Sequence, residues 1–324
     1  MKSKIRILAL ALIMLLSTVG ALYANTDSDI LAGTWSMPDE SMIPGDAYGD
    51  MIRYGEELII NTPVYLGPDS SKPYAGSRIS CSNCHREGGT KPYAIPLFVA
   101  TEEYAPPGIY SAREGVNRTI QIRINGCFER SLSGTALPED SYEMQSMVAY
   151  LKWLSTGIAP GLTWKDVKGQ ETPKLSLLDR ASDPVRGQEI FMNRCAKCHG
   201  ANGLGERKDA GYDFPPLWGS DSFNTGAGMN RGITATRLIK QNMPLGDATL
   251  SLEQAYDVVA FMNSNNRPVW SNEALDWSGY APNGTPNINS KAADASYPPY
   301  FLGDRFSPGQ HKYGAWQIII DTKQ

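Results

Sequence analysis

Two pentapeptides constrain this 324-residue chain more than anything else in it: Cys81-Ser-Asn-Cys84-His85 and Cys195-Ala-Lys-Cys198-His199. Two thiols three residues apart can add across the two vinyl groups on one edge of a porphyrin. The histidine that follows then reaches the iron from below, so each motif reads as a c-type haem attachment. A zinc ribbon would set its two CxxC pairs some 15 to 20 residues apart, whereas 110 residues lie between Cys84 and Cys195. A thioredoxin-like redox pair does not call for histidine in fifth place twice, and nothing around either motif reads as a βαβ unit. The chain has only three histidines, and two of them stand in these motifs. Two covalently attached haem c groups are therefore expected, with Cys81, Cys84, Cys195 and Cys198 binding the porphyrins and His85 and His199 the irons.

The surroundings of the two motifs repeat. Before the second, Asp183 can cap a helix with Pro184 at its first position, and "VRGQEIFMNRC" runs helically into the haem site. Before the first, "MIRYGEELIIN" carries Gly55 where the second segment carries Gly187. Each half closes on an amphipathic helix. One places Met144, Met147, Val148, Leu151 and Leu154 on one face, and the other Leu252, Ala255, Val259 and Met262. Ser251 and Gln254 make a capping box. A glycine in the first helix of each half allows a close crossing over an aromatic of the last, Tyr150 or Phe261. Helix, CxxCH, loop and closing helix, twice over, resembles two class I cytochrome c domains in tandem, an all-α fold with long loops. The expected boundaries are a catalytic domain at 25–160, a linker at 161–182, an electron-transfer domain at 183–268 and a C-terminal wrapping tail at 269–324.

Domains of that class usually take a second iron ligand from a loop some 40 residues beyond the CxxCH histidine. In the second half Met243 holds that slot, 44 residues after His199, in the sequence "NMPLGDATLS". In the first half the slot lies 42 residues after His85 and holds Cys127, the one cysteine of five outside the two motifs. The alternative for Met243 is ordinary packing, and for Cys127 a buried inert thiol. The polar and charged neighbours of Cys127, and its match to a ligand slot, favour thiolate ligation. A second histidine ligand would have to be His311, far away in the tail.

The N-terminus has three basic residues, an apolar run from Ile7 to about Leu16 and then small residues, the layout of a secretory signal peptide at 1–24. An apolar run of roughly ten residues is short against the ~20 needed to span a bilayer. Cleavage, a periplasmic location and no stable membrane anchor are expected. Three of the 30 basic residues and none of the 34 acidic ones lie in that leader, so the remainder carries a net charge of about −7. Such a balance argues against nucleic acid as a partner.

Within this acidic chain, "SAREGVNRTIQIRINGCFERS" gathers Arg113, Arg118, Arg123 and Arg130 with a single acid between the first two. Guanidinium forks suit oxyanions of the sulfonate or sulfate kind, although some of these arginines can instead serve haem propionates. That stretch, with "FPPLWGSDSFNTGAGM" after the second motif and "FSPGQHKYG" in the tail, resembles the periplasmic diheme thiosulfate dehydrogenases over nearly the whole mature chain. The resemblance implies an enzyme that joins two thiosulfate ions into tetrathionate, or runs the reverse, and sends electrons to a small c-type cytochrome or similar partner. It implies His85 and Cys127 on the catalytic haem, His199 and Met243 on the transfer haem, and Arg113, Arg123 and Ser131 around the substrate. Some members carry a lysine before the second-haem methionine. This chain has Asn242 there, so a lysine-to-methionine ligand switch is not expected. A non-enzymatic diheme electron carrier shares both motifs but leaves Cys127 and its arginines unexplained. A diheme peroxidase fits poorly, because the spare histidine lies outside any ligand-like loop.

Overall fold

The computed structural model describes residues 26–111 and 113–272. The leader expected at 1–24, His311 and nearly all of the tail expected at 269–324 lie outside the described residues. The main helices are α1 (Ala47–Ile60), α2 (Ile120–Arg130), α3 (Tyr142–Ser155), α4 (Pro184–Arg194), α5 (Gly232–Asn242) and α6 (Leu252–Ser264). Their starts follow from capping chemistry. The Asp46 carboxylate accepts from the amides of Tyr48 and Gly49. Asp183 accepts from Val185 and Arg186 with Pro184 at the first helical position, and Ser251 and Gln254 form the expected capping box.

Each half is organised by one helix crossing in which a glycine replaces a side chain. A Cβ added to Gly55 on α1 would lie 2.0 Å from the Ser146 carbonyl oxygen and 2.8 Å from Tyr150 Cβ on α3. A Cβ added to Gly187 on α4 would lie 1.9 Å from the Asp257 carbonyl oxygen and 2.8 Å from Phe261 Cβ on α6. The two crossings share one geometry, and each puts its helix backbone against the aromatic expected from the sequence. Around the first, Leu58, Phe98, Phe128, Met144, Met147, Leu151 and Leu154 are buried. Around the second, Phe191, Trp218, Ala255, Val258, Val259 and Met262 form a separate cluster. Each of the large aliphatic and phenylalanine side chains among them contributes about 1.5–3 kcal/mol over its exposed state.

The segment before α1 covers the first cluster. Trp35 stacks on Phe98 at 4.6 Å and donates its indole N–H to the Leu154 carbonyl at 2.9 Å. At the second crossing the buried Asp257 carboxylate accepts from both Arg180 terminal nitrogens, at 2.9 and 3.1 Å, and from the Asp183 amide at 2.8 Å. Asp257→Asn keeps the shape but removes the charge that three groups converge on. It is expected to lower unfolding stability by about 1.5 kcal/mol, measured by denaturant titration.

The all-α expectation needs one adjustment. The antiparallel hairpin β1 (Ile109–Ser111) and β2 (Val116–Arg118) precedes α2, and a second, β3 (Glu206–Lys208) and β4 (Gly211–Phe214), follows the second CxxCH motif. Strands of three or four residues are too short to display the alternation by which strands are read. Among the described residues no helix is long and apolar enough to cross a membrane.

Candidate functional site

Local chemistry presents the attachment cysteines. The Ser80 hydroxyl accepts from the Asn83 amide at 3.2 Å, and the Asn83 side-chain oxygen accepts from the Ser80 amide at 2.9 Å. This reciprocal cap starts a helical turn at Cys81–Cys84, so the two thiols at i and i+3 share one side. The second set follows α4 directly, on the turn Ala196–His199.

Both histidines are oriented in the same way. His85 donates through Nδ1 to the Ile95 carbonyl at 2.5 Å, and His199 through Nδ1 to the Pro215 carbonyl at 2.8 Å. A carbonyl oxygen only accepts, so Nδ1 carries the proton and Nε2 is left free to bind a metal. Burial also holds the His199 imidazole below its ordinary pKa, favouring the neutral form that ligates iron.

Above His85 opens a cavity of about 520 Å³. Cys81, Cys84 and His85 line it together with Arg113, Arg123, Cys127 and Ser131, so it collects every site residue expected for the first half. Ile79, Leu97, Met147 and Leu151 supply apolar walls. A wide cavity with apolar walls, lined also by two thiols and an imidazole, fits a covalently attached haem.

Cys127 does not lie on a loop, as the comparison with its counterpart suggests, but in α2. The Thr119 hydroxyl accepts from the Ile122 amide and starts that helix early enough to carry it through the slot. Helical spacing then sets Arg123 one turn below Cys127, with its Nη1 donating to the sulfur at 2.7 Å. Burial pushes the Cys127 thiol up. The Arg123 guanidinium opposes it, with the Arg130 charge adding to the effect, and the thiol is held below its ordinary value. The attachment thiols differ: burial pushes Cys81 up to about 12, and Cys84 and Cys195 up to about 11. Among these four, Cys127 alone sits where a thiolate is stable at neutral pH.

Arg113 is buried and donates to the Gly226 carbonyl, reaching across to the second half. Met229, Arg231 and Thr234 from that half, and Gln170 and Thr172 from the connecting segment, also line the cavity. Sequence reasoning missed them because they lie far along the chain from the first motif and carry no local pattern that ties them to it. The one signal was "FNTGAGM", whose last residue is Met229.

Met243 ends α5, half-buried, with its amide donating to the Ile239 carbonyl at 2.8 Å. The preceding Asn242 donates to the Tyr93 carbonyl at 3.1 Å, two residues from the carbonyl that holds His85. On the other side, Asn83 within the first CxxCH donates to the Tyr212 carbonyl at 3.3 Å, and Phe214 of the same strand packs edge-on to the His199 ring, centroids 6.2 Å apart. The ligand-bearing segments of the two halves are thus tied to each other twice.

These features define a c-type cytochrome. Residues 184–266 match the family model described as Cytochrome c. The chain is 42% identical over 247 residues to a thiosulfate dehydrogenase of Allochromatium vinosum, covering 74% of this chain and 87% of that protein. It is 38% identical over 232 residues to a thiosulfate dehydrogenase of Stutzerimonas stutzeri, covering 71% and 72%. Among solved structures it resembles the thiosulfate dehydrogenase TsdBA from Marichromatium purpuratum, with a TM-score of 0.65 and 32% identity over 73% of this chain; it spans 50% of that longer chain. The chain belongs to the thiosulfate dehydrogenase family, and it is a haem c oxidoreductase with a cytochrome c fold.

Proposed function

We propose that this protein couples two thiosulfate ions to tetrathionate, or the reverse, at the Cys127 cavity. The observation that carries the reading is Cys127 Sγ held 2.7 Å from the Arg123 guanidinium in a cavity shared with His85. The proposed architecture is two tandem cytochrome c domains, 25–160 and 183–268, joined by 161–182, with the remaining tail laid over them. Each domain carries one haem c, held by Cys81, Cys84, His85 and Cys127 in the first and by Cys195, Cys198, His199 and Met243 in the second. Haem c held by these residues would supply the one-electron carriers that take up the two electrons of the reaction. A thiolate ligand favours the ferric state and a thioether the ferrous one, so the first centre has the lower potential and the second is the exit to a small c-type cytochrome. The leader and the acidic surface suit export to the periplasm and a partner other than nucleic acid.

The residues divide the chemistry as follows. Arg113, Arg123 and Ser131 orient the sulfonate of the first thiosulfate so that its sulfane sulfur faces Cys127 Sγ. A bond forms between these two sulfurs as two electrons leave, giving a cysteinyl persulfide-type sulfonate on Cys127. The sulfane sulfur of a second thiosulfate attacks the outer sulfur of that bond. Tetrathionate departs, and the Cys127 thiolate returns with the bonding pair, so no further electrons move. Two dianions meet in this pathway, and fixed guanidinium charge offsets their repulsion.

Arg123→Leu is expected to lower kcat/KM for thiosulfate by about 10- to 100-fold, the scale of one or two charge-assisted hydrogen bonds. Steady-state assays with an artificial electron acceptor check this. The reading as a whole is tested by adding thiosulfate to the oxidised, purified holoprotein. Prompt reduction of the haem absorbance is the expected result, while an unresponsive spectrum would return the protein to the class of simple electron carriers.

A further inference from the structure

Behind the arginine-rich wall of the cavity lies an acid, Glu114, that the reaction does not use. Glu114 lies in the turn between β1 and β2, with its side chain 17% exposed. Its Oε2 accepts from Arg118 Nε at 3.0 Å and Nη2 at 2.5 Å and from the Ser111 hydroxyl, and its Oε1 accepts from Arg130 Nη2 at 3.0 Å. Arg118 Nη2 also donates to Ser111 Oγ at 2.5 Å, and the Arg130 guanidinium lies 5.3 Å from the Trp270 ring centroid. Both Arg118 and Arg130 line the cavity. Burial raises the Glu114 pKa, but Arg118, Ser111 and Arg130 together hold it down at about 2, so it is ionised throughout the physiological range.

A fixed negative charge behind the wall of a dianion site has the wrong sign for affinity. It has the right sign for release. Two dianions enter and one dianion must leave in every forward cycle, and a wall holding five guanidiniums with no anion behind it would retain the product. We propose that Glu114 is a positioning residue and internal counter-ion: it fixes Arg118 and Arg130 against the wall and cancels enough of their charge for a dianionic product to dissociate. This rests on the reading of the cavity as an anion site.

The sign of its effect separates this role from a merely structural ion pair. Loss of a structural anchor would loosen the arginines and weaken anion binding, whereas loss of a counter-ion strengthens it. The probe is sulfate, a redox-inert dianion, as competitive inhibitor of haem reduction by thiosulfate in the holoenzyme. In Glu114→Gln the sulfate Ki and the thiosulfate KM are expected to fall about tenfold (about 1.4 kcal/mol), with kcat falling rather than rising. The effect should shrink as an inert monovalent salt is raised. Should that variant fail to fold, Arg118→Gln and the charge-balanced Glu114→Gln/Arg118→Gln carry the test. The single change is expected to raise the sulfate Ki about tenfold and the pair to bring it back to within about threefold of wild type. An unchanged or raised Ki in Glu114→Gln, or a pair no better than Arg118→Gln alone, overturns the inference. A wild-type enzyme that sulfate does not inhibit and thiosulfate does not reduce would instead remove the anion-site reading beneath it.

Discussion

Cys127→Ser protein is expected to fold, to retain its covalently attached haem and to oxidise thiosulfate at least about a thousandfold more slowly than wild type, the scale on which loss of a reacting nucleophile is felt. The expectation follows from the unequal treatment of the cysteines. Burial pushes Cys81 and Cys84 up to about 12 and about 11, which keeps them as thiols until they are consumed in haem attachment. Cys127 is equally shielded, yet Arg123 one turn away and Arg130 hold it below its ordinary value. A serine in its place keeps the hydroxyl small and polar but offers neither a thiolate nor a sulfur able to form and release an S–S bond. Stopped-flow mixing with thiosulfate measures the loss, and far-ultraviolet circular dichroism with haem staining confirms that fold and attachment are intact. Turnover within a factor of ten of wild type would remove the covalent role.

The second large effect concerns the fold. Gly187→Val is expected to destabilise the second half by about 3 kcal/mol or more, because a Cβ at that position would sit 1.9 Å from the Asp257 carbonyl oxygen. Backbone on both sides of the crossing leaves little room to yield, and α4 runs straight into Cys195. Thermal unfolding should show a fall in Tm of roughly 10 °C, with a lower yield of haem on the second CxxCH motif. Gly45→Ala is the control. Its added Cβ meets nothing within 4 Å, so stability should change by no more than about 0.5 kcal/mol. Equal Tm values for the two variants would contradict the crossing described for α4 and α6.

Much of this was legible in the sequence because the chemistry is local. The caps at Asp183 and Ser251 are set by side chains within three residues of the amides they satisfy, and the structure has both. The glycine crossings were legible because each half carries a glycine in its first helix and an aromatic in its last. Gly55 meets Tyr150 as Gly187 meets Phe261. The helix carrying Cys127 was less so: its apolar positions are interrupted by arginines, and what drives it is the Thr119 cap and packing of Ile120 and Phe128 against the first cluster. The hairpins were invisible for want of length, though β4 joins the two ligand-bearing segments through Tyr212 and Phe214. Nor could any local pattern show that Gly228 and Met229 of the second half line the cavity of the first, or that Gly226 accepts from Arg113. Those contacts depend on how the halves meet. Asn224, which donates to the Glu129 carbonyl at 2.8 Å, is one residue that joins them, and nothing local to it names its partner.

The central claim is that Cys127 occupies in the first half the place Met243 occupies in the second, as a thiolate facing His85 across the haem site. Electron paramagnetic resonance of the oxidised holoprotein tests it most directly. The account predicts a low-spin ferric signal characteristic of histidine and thiolate ligation, which disappears in Cys127→Ser while the signal of the second centre is unchanged. A wild-type spectrum without a thiolate-ligated component, or one that Cys127→Ser leaves as it was, would contradict it.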